Sequence, residues 1–96
     1  MVLYDTSIVI EKVKKREEFH GIISAVTIVE FPAILKYKKF KGDIIFPTPS
    51  DFLLACRLQE ELMKRGKPKG LADLLVAAIC INRREKLITK DKDSWI

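Results

Sequence analysis

The chain has almost no side-chain amides, a single histidine, two cysteines and no long apolar run. Each scarcity excludes something. The longest apolar run, Leu74–Ile81, is 8 residues, well short of the roughly 20 needed to span a bilayer, so it reads as a buried helix segment. The start, Met1-Val2-Leu3-Tyr4, reaches an acid at position 5 without the basic and apolar regions of a signal peptide, so a cytoplasmic protein with no membrane partner is expected. Cys56 and Cys80 lack CxxC spacing and sit in helical apolar patterns, which predicts core thiols rather than a disulfide or metal site. With His20 alone, a two-histidine acid/base pair is excluded and zinc lacks its usual ligand set. Gln59 and Asn82 are the only side-chain amides while Lys and Glu abound, a bias that favours heat-tolerant proteins and points to a thermophile.

What remains is a globular composition, 48% hydrophobic and 32% charged, over 96 residues. That suits one domain over 1–96 with a real but small core. A domain this short buries a modest share of its surface, so a homodimer or a partner protein covering an apolar face is expected. There is no repeat, low-complexity tract or linker.

Strand-like and helix-like patterns alternate. Met1–Tyr4 reads as a strand stopped by Asp5-Thr6-Ser7, followed by a short basic helix through Ile8, Ile10 and Val13. Gly21–Ala25 reads as a second strand. Ser24 or Thr27 can open a helix running through Phe31, Ile34, Leu35 and Tyr37, bent early by Pro32 and ended at Gly42. Ile44-Ile45-Phe46 is a third strand. Ser50 is the expected cap of a long helix ending at Gly66, with an apolar face through Phe52, Ala55, Cys56, Leu62 and Met63. After a loop at 67–70, Leu71–Ile81 is apolar almost all round, the mark of a central buried helix, and Leu87-Ile88-Thr89 is a fourth strand. Alternation of this kind predicts an α/β fold: a parallel sheet of about four strands flanked by helices.

Each acid of interest has an ordinary reading when taken alone. Asp5 can cap the first helix, Asp73 suits the dipole of a first turn, Thr27 and Glu30 have capping-box spacing, and Asp91 and Asp93 fall in a turn. The conjunction says more. Asp5 and Asp91 follow strands, while Glu30 and Asp73 lie within apolar helix sequence near strand or loop entries, so all four fall near the carboxyl edge of one sheet, where open α/β sheets bind ligands. Converging carboxylates repel one another unless a cation intervenes. An oxygen-only donor set points to Mg²⁺ or Mn²⁺, and hard cations beside a polyanion-binding surface are equipment for phosphodiester hydrolysis.

Net charge supports a polyanionic partner. The 18 bases face 13 acids, and with the four clustered acids set aside nine acids remain, leaving the rest of the chain at +9. Lys12, Lys14, Lys15 and Arg16 form one basic run; Lys36, Lys38, Lys39 and Lys41, interleaved with Tyr37 and Phe40, form another. Either run can hold a phosphate backbone, and the second can also stack bases, although a solvated helix face has the same composition.

Four motifs in order resemble PIN-domain proteins, most closely VapC-type toxins of VapBC toxin–antitoxin systems. Val2-Leu3-Tyr4-Asp5-Thr6-Ser7 resembles the opening strand with its first acid, and Ser24–Glu30 resembles the Ser-x-x-Thr-x-x-Glu element. Leu71–Ala78 is similar to the Asp-x-x-Ile-Ala-Ala helix, and Leu87–Asp93 to the Thr-x-Asp-x-Asp ending. The resemblance implies a PIN-like sheet. It implies that Asp5, Glu30, Asp73 and Asp91 are catalytic metal ligands, that Asp93 is an auxiliary acid and that Thr6, Ser7 and Thr89 are polar supports. The implied activity is a Mg²⁺- or Mn²⁺-dependent endoribonuclease acting on single-stranded or structured RNA and inhibited by a VapB-type antitoxin. Two departures stand out: Asp93-Ser94-Trp95 replaces the family's Asp-Phe, and the chain stops at Ile96, before the final strand its relatives carry. The expectation is therefore a single PIN-like domain shortened at its C-terminus.

Two rivals belong to other classes. A non-catalytic PIN-like module would bind RNA or a partner without turnover. A phosphatase with an aspartate nucleophile would need a second acid two positions after Asp5, where Ser7 stands.

Overall fold

The computed structural model describes residues 1–90. In chain order it has strand β1 (Val2–Tyr4), helix α1 (Thr6–Lys14), β2 (Ile22–Ser24), α2 (Ala25–Glu30), a 3₁₀ helix (Pro32–Lys36), β3 (Asp43–Ile45), α3 (Pro49–Lys64), α4 (Leu71–Arg83) and β4 (Lys86–Ile88). Among the described residues the four strands form one parallel sheet in the order β3-β2-β1-β4. The expected α/β fold, a parallel sheet flanked by helices, is the observed one.

Alternation along the strands assigns the two faces. Leu3 and Ile22 turn to one side and pack with Val76, Ile79 and Cys80 of α4. Tyr4 and Ile23 turn to the other and pack with Val9 of α1, Phe19 and Ile34. Both faces are covered, so Ile22 and Ile23 are both buried, as strands sandwiched between helices should be. Full burial of a side chain such as Ile23 stabilises the fold by about 1.5–3 kcal/mol. The seven residues Leu74–Cys80 are all buried, because α4 lies between the sheet and α3.

The chain returns to each new strand through tight backbone approaches. Gly21 has φ +101°, and a Cβ there would lie 2.9 Å from the Tyr4 ring; at Gly42 it would lie 2.0 Å from the carbonyl oxygen of Gly21. Only glycine allows the segments entering β2 and β3 to run this close.

Several local expectations are corrected. The helix expected to run through Tyr37 ends at Glu30, and a 3₁₀ helix follows. Pro32 lacks an N–H and bars the helical region to Phe31, which adopts φ −141°, ψ 73°. Ser24, not Thr27, caps α2, accepting from the Val26 N–H at 3.0 Å. Thr48, not Ser50, caps α3 in a reciprocal capping box with Asp51, with Pro49 in the first turn. Asp51 is itself buried. Burial pushes its pKa up, but hydrogen bonding with Thr48, whose N–H donates to the carboxylate, and with the Asn82 amide holds it below the usual carboxylate range.

The apolar face of α3 is also redrawn. Ala55 and Leu62 are buried against Leu74, Leu75 and Ala78, with Leu54 and Leu58 beside them, but Phe52, Leu53, Cys56 and Met63 are exposed. Because α4 is the main neighbour of α3 among the described residues, one stripe suffices and the other faces outward. Cys56 is thus not a core thiol. Cys80 is one, and burial together with the nearby Glu85 pushes its pKa up to about 11. Strand limits shift by a residue, to Val2–Tyr4, Asp43–Ile45 and Lys86–Ile88, and α4 runs on to Arg83, where Arg84 closes it in the left-handed region.

Candidate active site

The chain passes from β1 outward to β2 and β3, then returns past β1 to β4. The order therefore reverses between β1 and β4, and a crevice opens beyond their carboxyl ends. A cleft of about 460 Å³ occupies that position, lined by Asp5, Thr6, Ser7, Glu30, Ala72, Asp73, Val76, Thr89 and Lys90.

Each acid reaches the cleft by a different route. Asp5 follows β1 and caps α1; its Oδ1 accepts from the Ile8 N–H at 3.1 Å and from the Ser7 hydroxyl at 2.7 Å. Its other oxygen accepts from the Thr89 hydroxyl, and its N–H donates to the carbonyl of Ile88 at 3.1 Å. Asp5 is therefore tied to the ends of both β1 and β4. Glu30 is the last residue of α2, and its Oε1 accepts from the Thr6 hydroxyl at 2.5 Å. Thr6 has one hydroxyl proton, so Thr27, 3.0 Å away and fully buried, donates in turn to Thr6. Asp73 lies in the first turn of α4, which has no side-chain cap of its own.

Asp5, Glu30 and Asp73 thus share one cleft with Thr6, Ser7 and Thr89. Asp91 and Asp93 lie outside the described residues. The donors in the cleft are all oxygens, which suits a hard divalent cation such as Mg²⁺ or Mn²⁺ in kind. Among the described residues, no three acidic, histidine or cysteine side chains stand close enough to hold an ion as they lie. Asp5 and Glu30 are turned to hydroxyl donors instead, with which an entering cation would compete.

The basic runs lie elsewhere. The segments before β2 and β3 pair at the amino edge of the sheet through Phe19 and Phe40, opposite the cleft. There Lys39 donates to the carbonyl of Arg16 at 3.0 Å, and Tyr37 to that of Glu17 at 2.6 Å. The rings of Tyr37 and Phe40 sit 6.3 and 5.0 Å from that of Phe19. Both rings are half-buried and pack against the core cluster around Phe19. Lys12 lies over the Tyr4 and Phe19 rings at 5.2 and 5.7 Å. Lys14, Lys15, Arg16, Lys36, Lys38 and Lys41 are exposed, and none of them lines the cleft.

Three further residues take part near the cleft in ways that the sequence does not assign to the site. Thr27 carried a signal, since it stands three positions before Glu30 on one short helix. Glu11 and Lys90 carried none. The Lys90 ammonium pairs with Glu11 Oε2 across 79 positions, while Lys15 pairs with Oε1 at 3.1 Å. The hydrogen bond from Lys90 and then that from Lys15 lower the pKa of Glu11 from 4.5 to about 2.

No protein-family model matches the chain, and no curated protein does. Solved structures share its fold: a parallel α/β sheet of this type occurs in chains of bacterial toxin–antitoxin complexes. One is VapBC2 from Rickettsia felis, crystallised bound to a DNA fragment from its promoter, at TM-score 0.74 and 18% identity over 95% of this chain and 89% of that one. Another is a toxin–antitoxin complex from Klebsiella pneumoniae, at TM-score 0.74 and 18% identity over 99% and 90%. Likeness at this identity is likeness of fold. Among the described residues, no helix is long and apolar enough to cross a membrane.

Proposed function

We propose that this chain is a metal-dependent endoribonuclease and the toxin of a toxin–antitoxin pair. The observation that carries the reading is the meeting of Asp5, Glu30 and Asp73, from three separate elements, in one cleft at the point where strand order reverses. Asp5, Glu30 and Asp73 would hold Mg²⁺ or Mn²⁺, with Asp91 as the fourth acid and Asp93 as an auxiliary one. The ion would supply a water of lowered pKa and offset charge on the phosphate. Thr6, Ser7 and Thr89 hold the carboxylates in place, and the Thr27–Thr6–Glu30 chain fixes the orientation of the Glu30 side chain. No histidine base is required. The exposed stripe of Phe52, Leu53 and Met63 on α3 supports a partner, either an antitoxin of the VapB kind or a second copy.

Incubation with a labelled RNA pool in Mg²⁺, in Mn²⁺ and in chelator tests the reading. Discrete cuts that vanish in chelator are expected; intact RNA in both metals overturns it. The separation of the acids favours one other reading, a module that binds RNA without cutting it. That reading predicts a retarded complex and no product.

A further inference from the structure

A cleft lined by three carboxylates repels the polyanion that the proposed function brings to it; a bound metal ion would offset part of that field, and a basic side chain at the margin would add to that offset by gripping the backbone. Among the described residues, Lys90 is the one basic side chain in the lining. No residue of the two lysine-rich runs lines it, although Lys15 of the first run shares the Glu11 carboxylate with Lys90.

Lys90 is held on both sides. Its backbone follows Thr89, whose hydroxyl is bound to Asp5, and Ile88, whose carbonyl accepts from the Asp5 N–H. Its ammonium is bound to Glu11, which lies on α1 outside the cleft. A lysine side chain is otherwise free to take many rotamers, and each must be given up when it grips a ligand. Glu11 has already imposed that restriction. The same carboxylate also holds Lys15, so one negative charge faces two positive ones and the trio keeps a net charge of +1. An ammonium has three donors and Glu11 engages one of them. The Lys90 side chain is 56% exposed, so a phosphate can approach it from solvent.

We propose that Lys90 is the contact this cleft makes to the RNA phosphate backbone, and that Glu11 is a positioning residue that acts through it by fixing its ammonium at the rim. The inference rests on RNA being the ligand of the cleft, as proposed above, but not on cleavage. Backbone contact of this kind is shared by the bound substrate and its transition state, so it belongs in KM rather than kcat.

Two measurements on the full chain test it. The first is binding of a fluorescent single-stranded RNA oligonucleotide in chelator over a salt series. Lys90→Ala should reduce the slope of log affinity against log salt by about 0.7, the value of one lost contact to a single strand, and Lys90→Arg should keep the slope. An unchanged slope in Lys90→Ala, or no RNA binding by the wild-type chain, overturns the contact. The second is cleavage kinetics in a double-mutant cycle. Glu11→Gln should raise KM severalfold with kcat nearly constant when Lys90 is present, yet leave KM level or lower it in the Lys90→Ala background. A plain loss of negative charge would lower KM in both backgrounds, and that result overturns the positioning role. If the wild-type chain leaves RNA intact in both metals, the nuclease reading fails, while the salt slope still decides the Lys90 contact.

Discussion

The two edges of the sheet put similar sequence material to opposite uses. At the amino edge, Phe19, Tyr37 and Phe40 close on one another, and nearby Lys39 and Tyr37 bond to backbone carbonyls, so a segment composed like a nucleic-acid surface serves to pin β3's approach beside β2. At the carboxyl edge, acids that each had an adequate explanation as a cap or a helix-dipole partner share one cleft. Asp5 is both things at once. It caps α1 and lines the cleft, because the residue that ends β1 at the strand-order reversal is also the one that starts the next helix. Capping and a site role are therefore not competing readings for such a residue.

The largest expected effect breaks the carboxyl edge alone. Asp73→Asn keeps the size of the side chain at an exposed first-turn position while removing its charge. Cleavage should fall by roughly a hundredfold or more, as when one essential electrostatic group is lost, with the far-ultraviolet circular dichroism unchanged. Full activity, with metal-induced stabilisation intact, would remove Asp73 from the site.

Next in size is a change confined to the amino edge. Phe19 is 4% exposed and touches Tyr4, Tyr37 and Phe40. Phe19→Ala should lower unfolding free energy by about 3–5 kcal/mol, read by urea denaturation, while the protein that remains folded cuts RNA at the wild-type rate. A matching loss of specific activity in the folded fraction would mean that the two edges are coupled.

The smallest effect concerns the link that joins α1 to the end of β4. The pKa of Glu11 is depressed in the fold, from 4.5 to about 2. A depressed carboxylate stabilises the fold fully above its unfolded value, and that contribution is lost as pH falls through the folded value. The stability difference between wild type and Glu11→Gln should therefore be constant above pH 4.5 and shrink towards pH 2, with a small amplitude because the pair is solvent-exposed. A difference that stays flat over this range would show that Glu11 has no partner in solution.

How legible these features were follows the range of the interactions. The Asp5 cap and the apolar run of α4 are visible within a few residues, and both elements stand where their patterns place them. Local signals that offered a choice were less decisive. Thr48 and Ser50 both precede the α3 pattern, and the capping box with Asp51 decided for Thr48. The sequence of α3 carries more apolar positions than one contact can bury, so Phe52 and Met63 matched a period yet face outward.

The sequence by itself determined the alternation of strands and helices and the acids that end strands or open helices, because these depend on backbone sterics, capping and periodicity over a turn or two; at Pro32 it signalled a bend where the structure has a break. Only the tertiary structure decided which stripe of α3 turns towards α4, that Phe40 packs against Phe19, and that Glu11 meets Lys90. Those outcomes depend on which elements become neighbours in the order β3-β2-β1-β4, and contact across 79 positions leaves no periodic trace in the chain.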